Sequence, residues 1–292
     1  MEKFNLENID YQYLHFSPKS DAKYGIGLSF WKSNINDLLF FLRFVDRCWY
    51  NKDLIDISVC SFFEIPNELW EEIKQLTNYV VYCETDMGHQ DGTTAHCNGA
   101  LYPLLNSPKI KASTHIDADT LFYSFQIFFG LSNMLLDSNK VILTTNSSWD
   151  YYLDTGYRKP HAFLGPDSHT VRQFGSAFIL NNKKALDTGY FPLKLMGHFE
   201  YDRYTHFENL GLDLDKDAII LPRQPFEKTP ADPWFLFSFD PYMGIVHSTN
   251  EITEVENEDR KIRILKASGN ELWDDIPVSK LHERKHDKLY GE

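Results

Sequence analysis

Asp117 and Asp119 stand one residue apart at the end of a run in which Ile110, Ala112, Thr114 and Ile116 alternate with other residues, a short strand pattern. Two carboxylates at a strand tip suit a hard divalent cation that must also hold phosphate oxygens. Strand tips are also where open α/β sheets bind their ligands. The spacing itself is common: Asp213 with Asp215, and Asp215 with Asp217, repeat it in a stretch that reads as a solvated turn. What sets Asp117 and Asp119 apart is the strand before them. A second carboxylate pair, Glu200 and Asp202, falls near the start of a helix predicted over 199–210. There it complements the helix dipole.

The elements that must carry these residues follow from periodicity. Tyr24–Trp31 reads as a first buried strand, and 35–50 as a helix with Leu38, Leu39, Leu42, Val45 and Trp49 on one face. Residues 55–63 form a second strand, Pro66 opens a second helix, and 79–83 form a third strand. That order predicts a parallel sheet with helical crossovers. Residues 88–106 are then the crossover that delivers the chain to Asp117 and Asp119. An apolar helix is expected over 122–136, strands over 140–145 and 174–180, and short strands over 218–221 and 244–247. Residues 1–23 show no clear period. Residues 146–171 turn to Ser, Asp, Tyr, Gly, Pro and His, the composition of a functional loop or lid. Residues 251–292 read as a charged surface tail.

Composition narrows the class. Hydrophobic residues at 42% and aromatics at 15% of 292 residues are enough for a sizeable core. A net charge of −13 argues against a general nucleic-acid binder, which needs a basic surface, but leaves room for a nucleotide pocket. Four cysteines without Cys-x-x-Cys spacing read as buried thiols of a reducing compartment. No secretory leader and no transmembrane segment are expected, so the chain reads as soluble and cytoplasmic.

Gly88, followed by Ala95-His96-Cys97-Asn98-Gly99-Ala100 and then by a strand ending in Asp-Ala-Asp, resembles the nucleotide-sugar half of GT-A glycosyltransferases. Gly175-Ser176-Ala177 and Gly197-His198-Phe199-Glu200-Tyr201-Asp202, with Gly211 closing the helix, resemble the family's downstream acidic region. His96 stands where that family usually has arginine.

The resemblance implies an α/β, GT-A-like fold with a mostly parallel central sheet flanked by helices. It also implies one domain over 1–292: a nucleotide-sugar half over about 24–125, an acceptor half over 126–250, and the tail. It implies a metal-dependent glycosyltransferase that uses Mn²⁺ or Mg²⁺ to move a sugar from a nucleotide diphosphate, foremost a UDP-sugar, to a hydroxyl of a glycan or other acceptor. Asp119 would hold the metal, Asp117 the metal or the ribose, and His247, at the end of its apolar run, is a third candidate ligand. Tyr24, Gly25, Gly88, His96 and Asn98 are candidates for the donor pocket. Glu200, then Asp202, is the candidate base, and a base so placed favours inversion. Trp149, Tyr151, Tyr152, Tyr157, Trp234 and Phe235 stack on acceptor sugars or fill space under loops. Two other classes fit less well. A sugar-nucleotide nucleotidyltransferase calls for a Gly-rich basic loop after the first strand, which Trp31-Lys32-Ser33-Asn34 does not resemble. A non-catalytic carbohydrate-binding protein on a degenerate transferase fold is the other.

Overall fold

The computed structural model describes residues 2–48, 51–118, 120–122, 125–146, 174–196, 199–221, 238–240 and 245–247. The chain opens with strands β1 (Lys3–Leu6) and β2 (Ile9–Phe16). It continues through β3 (Tyr24–Ser29), α1 (Ile35–Cys48), β4 (Ile55–Ser61), α2 (Asn67–Leu76) and β5 (Tyr79–Cys83). Next come α3 (Gly88–Leu105), β6 (Ala112–Asp117), β7 (Thr120–Phe122), α4 (Phe125–Ser138) and β8 (Ile142–Asn146). Beyond lie β9 (Phe174–Asn181), α5 (Asn182–Asp187), α6 (Phe199–Asn209), α7 (Leu214–Asp217), β10 (Ala218–Leu221), β11 (Ser238–Asp240) and β12 (Ile245–His247).

Among the described residues nine strands form one sheet in the order β1-β2-β5-β4-β3-β6-β9-β8-β10, and β11-β12-β7 form a second, antiparallel one. In the large sheet β3, β4, β5 and β6 are mutually parallel, and β8 and β10 run with them. The expected α/β architecture, a mostly parallel central sheet flanked by helices, is therefore observed. β3, β4 and β5 are laid down outward in one direction, and α3 then carries the chain back to place β6 on the other side of β3. That reversal between β3 and β6 makes their C-terminal ends a topological switch point, the place where open α/β sheets form a ligand crevice.

The two faces of the sheet bury separate apolar layers. On one face Ile26, Leu28, Ile57, Val59, Ile116 and Ile179 meet Leu38, Phe41, Leu42 and Val45 of α1 and Phe128 of α4. On the other, Cys60, Val81, Phe178 and Leu180 meet Ala100, Leu101 and Leu104 of α3 and Phe207 of α6. Alternation within β9, with Ile179 to one layer and Phe178 and Leu180 to the other, is the period-two pattern of a strand covered on both sides.

Three features lie outside expectation. Residues 1–23 contain a hairpin: Glu7 and Asn8 take φ of 51° and 66°, the left-handed pair that a tight two-residue turn requires. β2 then pairs antiparallel with β5 and covers that edge of the sheet. β9 inserts antiparallel between β6 and β8, a direction that the sequence pattern of the strand left open. Leu121 and Phe122 lie in β7 of the small sheet, and the helix expected from 122 starts at Phe125. Of the loop expected over 146–171, Asn146 ends β8, and the rest lies outside the described residues, as does the tail over 251–292.

Candidate functional site

The crevice end of β3 and β6 is built by register. Ser29 and Asp117, the last residues of the two strands, are paired, and the Ala118 N–H donates to the Ser29 carbonyl at 3.2 Å. The Ser29 hydroxyl lies 3.3 Å from Asp117 Oδ1 and 3.0 Å from His115 Nε2. Ser29 and His115 are buried, while Asp117 is half-buried at the rim. Serine, histidine and aspartate together suggest a hydrolytic triad, but the bonds run otherwise. Ring and carboxylate both address the hydroxyl, whereas a triad needs the carboxylate on the ring. Burial, followed by the nearby Arg203 charge, pushes the His115 imidazole down to about 3, far too low for a base at neutral pH.

β7 begins one residue beyond Asp119 and pairs with β12, with Thr120 opposite His247. A strand from the far end of the chain is thereby laid beside the Asp-Ala-Asp tip. Asp119 itself and the His247 side chain lie outside the described residues. Among the described residues no three His, Cys, Asp or Glu side chains converge as a metal cluster. Carboxylates are the groups that Mn²⁺ or Mg²⁺ takes, and the β7–β12 register brings the segment that follows Asp119 beside the strand that ends in His247.

An aromatic floor borders the same end. Trp31 lies two residues beyond the end of β3, its ring 4.6 Å from that of His96 and 5.2 Å from that of Phe62, which stacks on His96 at 5.5 Å. Gly92 lets the indole settle onto α3, since a Cβ there would stand 2.6 Å from Trp31 Cη2. His96 is fully buried beneath these rings, neither of its nitrogens has a hydrogen-bond partner among the described residues, and desolvation drives its pKa down to about 4. Gly88 opens α3, its N–H taken by the Asp86 carboxylate at 2.9 Å.

Other sequence candidates are placed elsewhere. Tyr24 and Gly25 begin β3, so they lie a strand's length from the crevice. Tyr24 donates its hydroxyl to Asn133 on α4 at 2.8 Å. Gly25 serves packing: a Cβ there would come within 2.8 Å of Ser113 Oγ and 3.0 Å of Leu104 Cβ, so its absence lets α3 press on the sheet. The correction for both is directional, because ligands of a parallel sheet meet the C-terminal ends of its strands. The Asn98 side chain is engaged with backbone, donating to the Leu193 carbonyl at 2.8 Å and accepting from the Leu193 N–H at 2.9 Å. It fixes the segment that leads into α6.

Glu200 and Asp202 fall in the first turn of α6, and their side chains lie outside the described residues. The helix they ride on is anchored by Arg203, a buried guanidinium 4.4 Å above the Phe178 ring. Phe178 is the β9 partner of His115, so that anchor stands next to the strand carrying Asp117. Ser29, Trp31, His115 and Arg203 are the residues that sequence reasoning missed. For the first two, the signal was their place at the C-terminal end of the first strand.

No family model matches the chain, and no curated protein matches it. Among solved structures, residues 1–349 of TarS from S. aureus are similar over 91% of this chain and 72% of that one, at 11% identity and a TM-score of 0.47. A 4-diphosphocytidyl-2C-methyl-D-erythritol synthase from Anaerococcus prevotii is similar over 69% of this chain and 87% of that one, at 15% identity and a TM-score of 0.42. Likenesses this slight leave function to the geometry of the crevice.

Proposed function

We propose that the protein is a metal-dependent glycosyltransferase that moves a sugar from a nucleotide diphosphate, foremost UDP, to a hydroxyl acceptor. The observation that carries this reading is the position of Asp117 at the switch point of the sheet, with the strand holding His247 paired to the segment that follows Asp119. Asp117, Asp119 and His247 would hold Mn²⁺ or Mg²⁺, which would neutralise the departing diphosphate. The base lies in the half-buried aromatic floor at Trp31 and Phe62, with the start of α3 beside the phosphates. Glu200, in the first turn of α6, takes the proton of the acceptor hydroxyl, with Asp202 as the neighbouring carboxylate. A carboxylate base on that side suits inversion.

The test is a panel of nucleotides and nucleotide sugars assayed for thermal stabilisation and for slow hydrolysis, each with MnCl₂ and with EDTA. A donor present at ~100 times its Kd stabilises by about 2.7 kcal/mol, a clear rise in Tm. One nucleotide class raising Tm only with metal supports the reading. No response to any nucleotide, with or without metal, removes it.

A further inference from the structure

The hydroxyl of Ser29 sits between a ring and a carboxylate, and proton counting fixes the direction of both bonds. Serine carries one donor proton, and an ionised carboxylate only accepts. Ser29 therefore donates to Asp117 Oδ1 at 3.3 Å, and the 3.0 Å contact to His115 runs from Nε2–H to the serine oxygen. The imidazole is then the Nε2–H tautomer. It is wholly buried, with its ring 6.2 Å from that of Phe178. A phenylalanine would fill that layer without the desolvation cost of an imidazole, so the polar ring stands where its N–H meets the Ser29 hydroxyl. The face of β3 turned to α3 is otherwise Gly25 and Gly27, with no side chains. Ser29 is the one position on that face with a polar group, and it lies in register with Asp117.

We propose that His115 and Ser29 are positioning residues: the ring aims the hydroxyl, and the hydroxyl orients the Asp117 carboxylate at the mouth of the crevice. This rests on the reading of Asp117 as a donor-site carboxylate. A bond of 3.3 Å is long for O–H to carboxylate, so it directs the group while leaving it able to adjust when a charged ligand arrives. Hydrogen bonds behind a ligating group commonly tune its affinity without touching the ligand.

Crystal structures of the wild type and of Ser29→Ala, paired with calorimetry of UDP in MnCl₂ and in EDTA, test this. Ser29→Ala should turn the Asp117 carboxylate and weaken UDP binding in MnCl₂ about tenfold, leaving binding in EDTA unchanged. Ser29→Thr, which keeps the hydroxyl, should restore both. His115→Gln, which keeps an N–H, should lie closer to wild type than His115→Phe, with Tm recorded for every variant so that lost folding is not read as lost binding. An Asp117 carboxylate unmoved in Ser29→Ala overturns the inference, and so does unchanged UDP affinity in MnCl₂. A wild type that binds no UDP at all removes the donor reading instead, and the crystallographic comparison of Asp117 still decides the positioning.

Discussion

Two Asp-x-Asp segments with identical spacing are placed differently in this molecule. Asp213 is the N-cap of α7: its carboxylate accepts from the Asp215 N–H at 2.9 Å and the Lys216 N–H at 3.2 Å. Its own N–H donates to Asp217 at 2.8 Å, so every one of these bonds closes within four residues. Asp117 is met by Ser29, a partner 88 residues away, at the switch point of a nine-stranded sheet. A carboxylate already engaged by its own turn is a cap. One delivered to a strand tip by long-range pairing is placed where open α/β sheets meet their ligands. The residue spacing carries none of this distinction; the strand before the pair carries all of it.

The largest effect that separates the two is on nucleotide binding. Asp119→Ala should abolish metal-dependent binding of UDP, a loss of ~10²-fold or more in affinity, while leaving Tm within about a degree. Asp213→Ala should leave binding untouched. Calorimetry with and without EDTA reads both. Equal UDP affinity in the wild type and Asp119→Ala would break the comparison, reducing both segments to turns.

Next in size is turnover. If the first turn of α6 supplies the base, Glu200→Gln should keep donor binding and lower turnover by ~10²-fold or more, with Asp202→Asn milder. If Glu200 only complements the helix dipole, the substitution costs at most ~1 kcal/mol of stability and little activity. A dead Asp202→Asn beside an active Glu200→Gln moves the base by two residues, and activity in both takes α6 out of the chemistry.

Much of this frame was legible because its signals are local. The run from β3 through β5, with α1 and α2 between, follows from apolar periodicity and Pro66, and the observed ends fall within a few residues of those expected. β9 was legible as a strand but not as antiparallel, since direction depends on partners distant in sequence. The β1–β2 hairpin was missed although Ile9, Tyr11 and Tyr13 alternate inward; its turn uses Glu7 and Asn8 rather than a glycine. In the site, the Asp117 position was readable from the strand that ends on it. Ser29 and His115 were not, because their partnership exists only once β3 and β6 are neighbours. Asn98 misled for the same reason, its amide being engaged by Leu193 across 95 residues.

A smaller effect tests the aromatic floor beside Asp117. His96 is held at about 4 by burial, below the ~6.5 of an unfolded imidazole. The unfolded chain therefore binds the extra proton first, so the full stability is present above pH 6.5 and drains away as pH falls towards 4. Over that window His96 costs up to about 3 kcal/mol. His96→Phe should flatten this part of the stability curve, measured by urea unfolding at pH 7.5 and 5. A slope unchanged by the substitution would place the ring in contact with water, and the floor beside Asp117 would be wet.

The smallest effect belongs to the cap, and it sharpens the contrast from the other side. Two backbone N–H groups, from Lys216 first and then Asp215, hold the Asp213 carboxyl below its ordinary 3.8. A carboxylate whose folded value is depressed stabilises the protein above the unfolded value, and that gain is lost as pH falls through the folded one. The window is therefore below about pH 4, well separated from that of His96. Asn caps a helix nearly as well as Asp but cannot ionise. Asp213→Asn should then match the wild type at pH 2 and fall slightly short of it at pH 6, whereas Asp213→Ala should be lower at both. Tm measured across pH 2–6 decides this. If Asp213→Asn and the wild type run parallel throughout, the charge is idle, and the cap is held by hydrogen-bond geometry alone. In neither case should UDP binding change, because a cap that serves its own turn has nothing to offer the crevice.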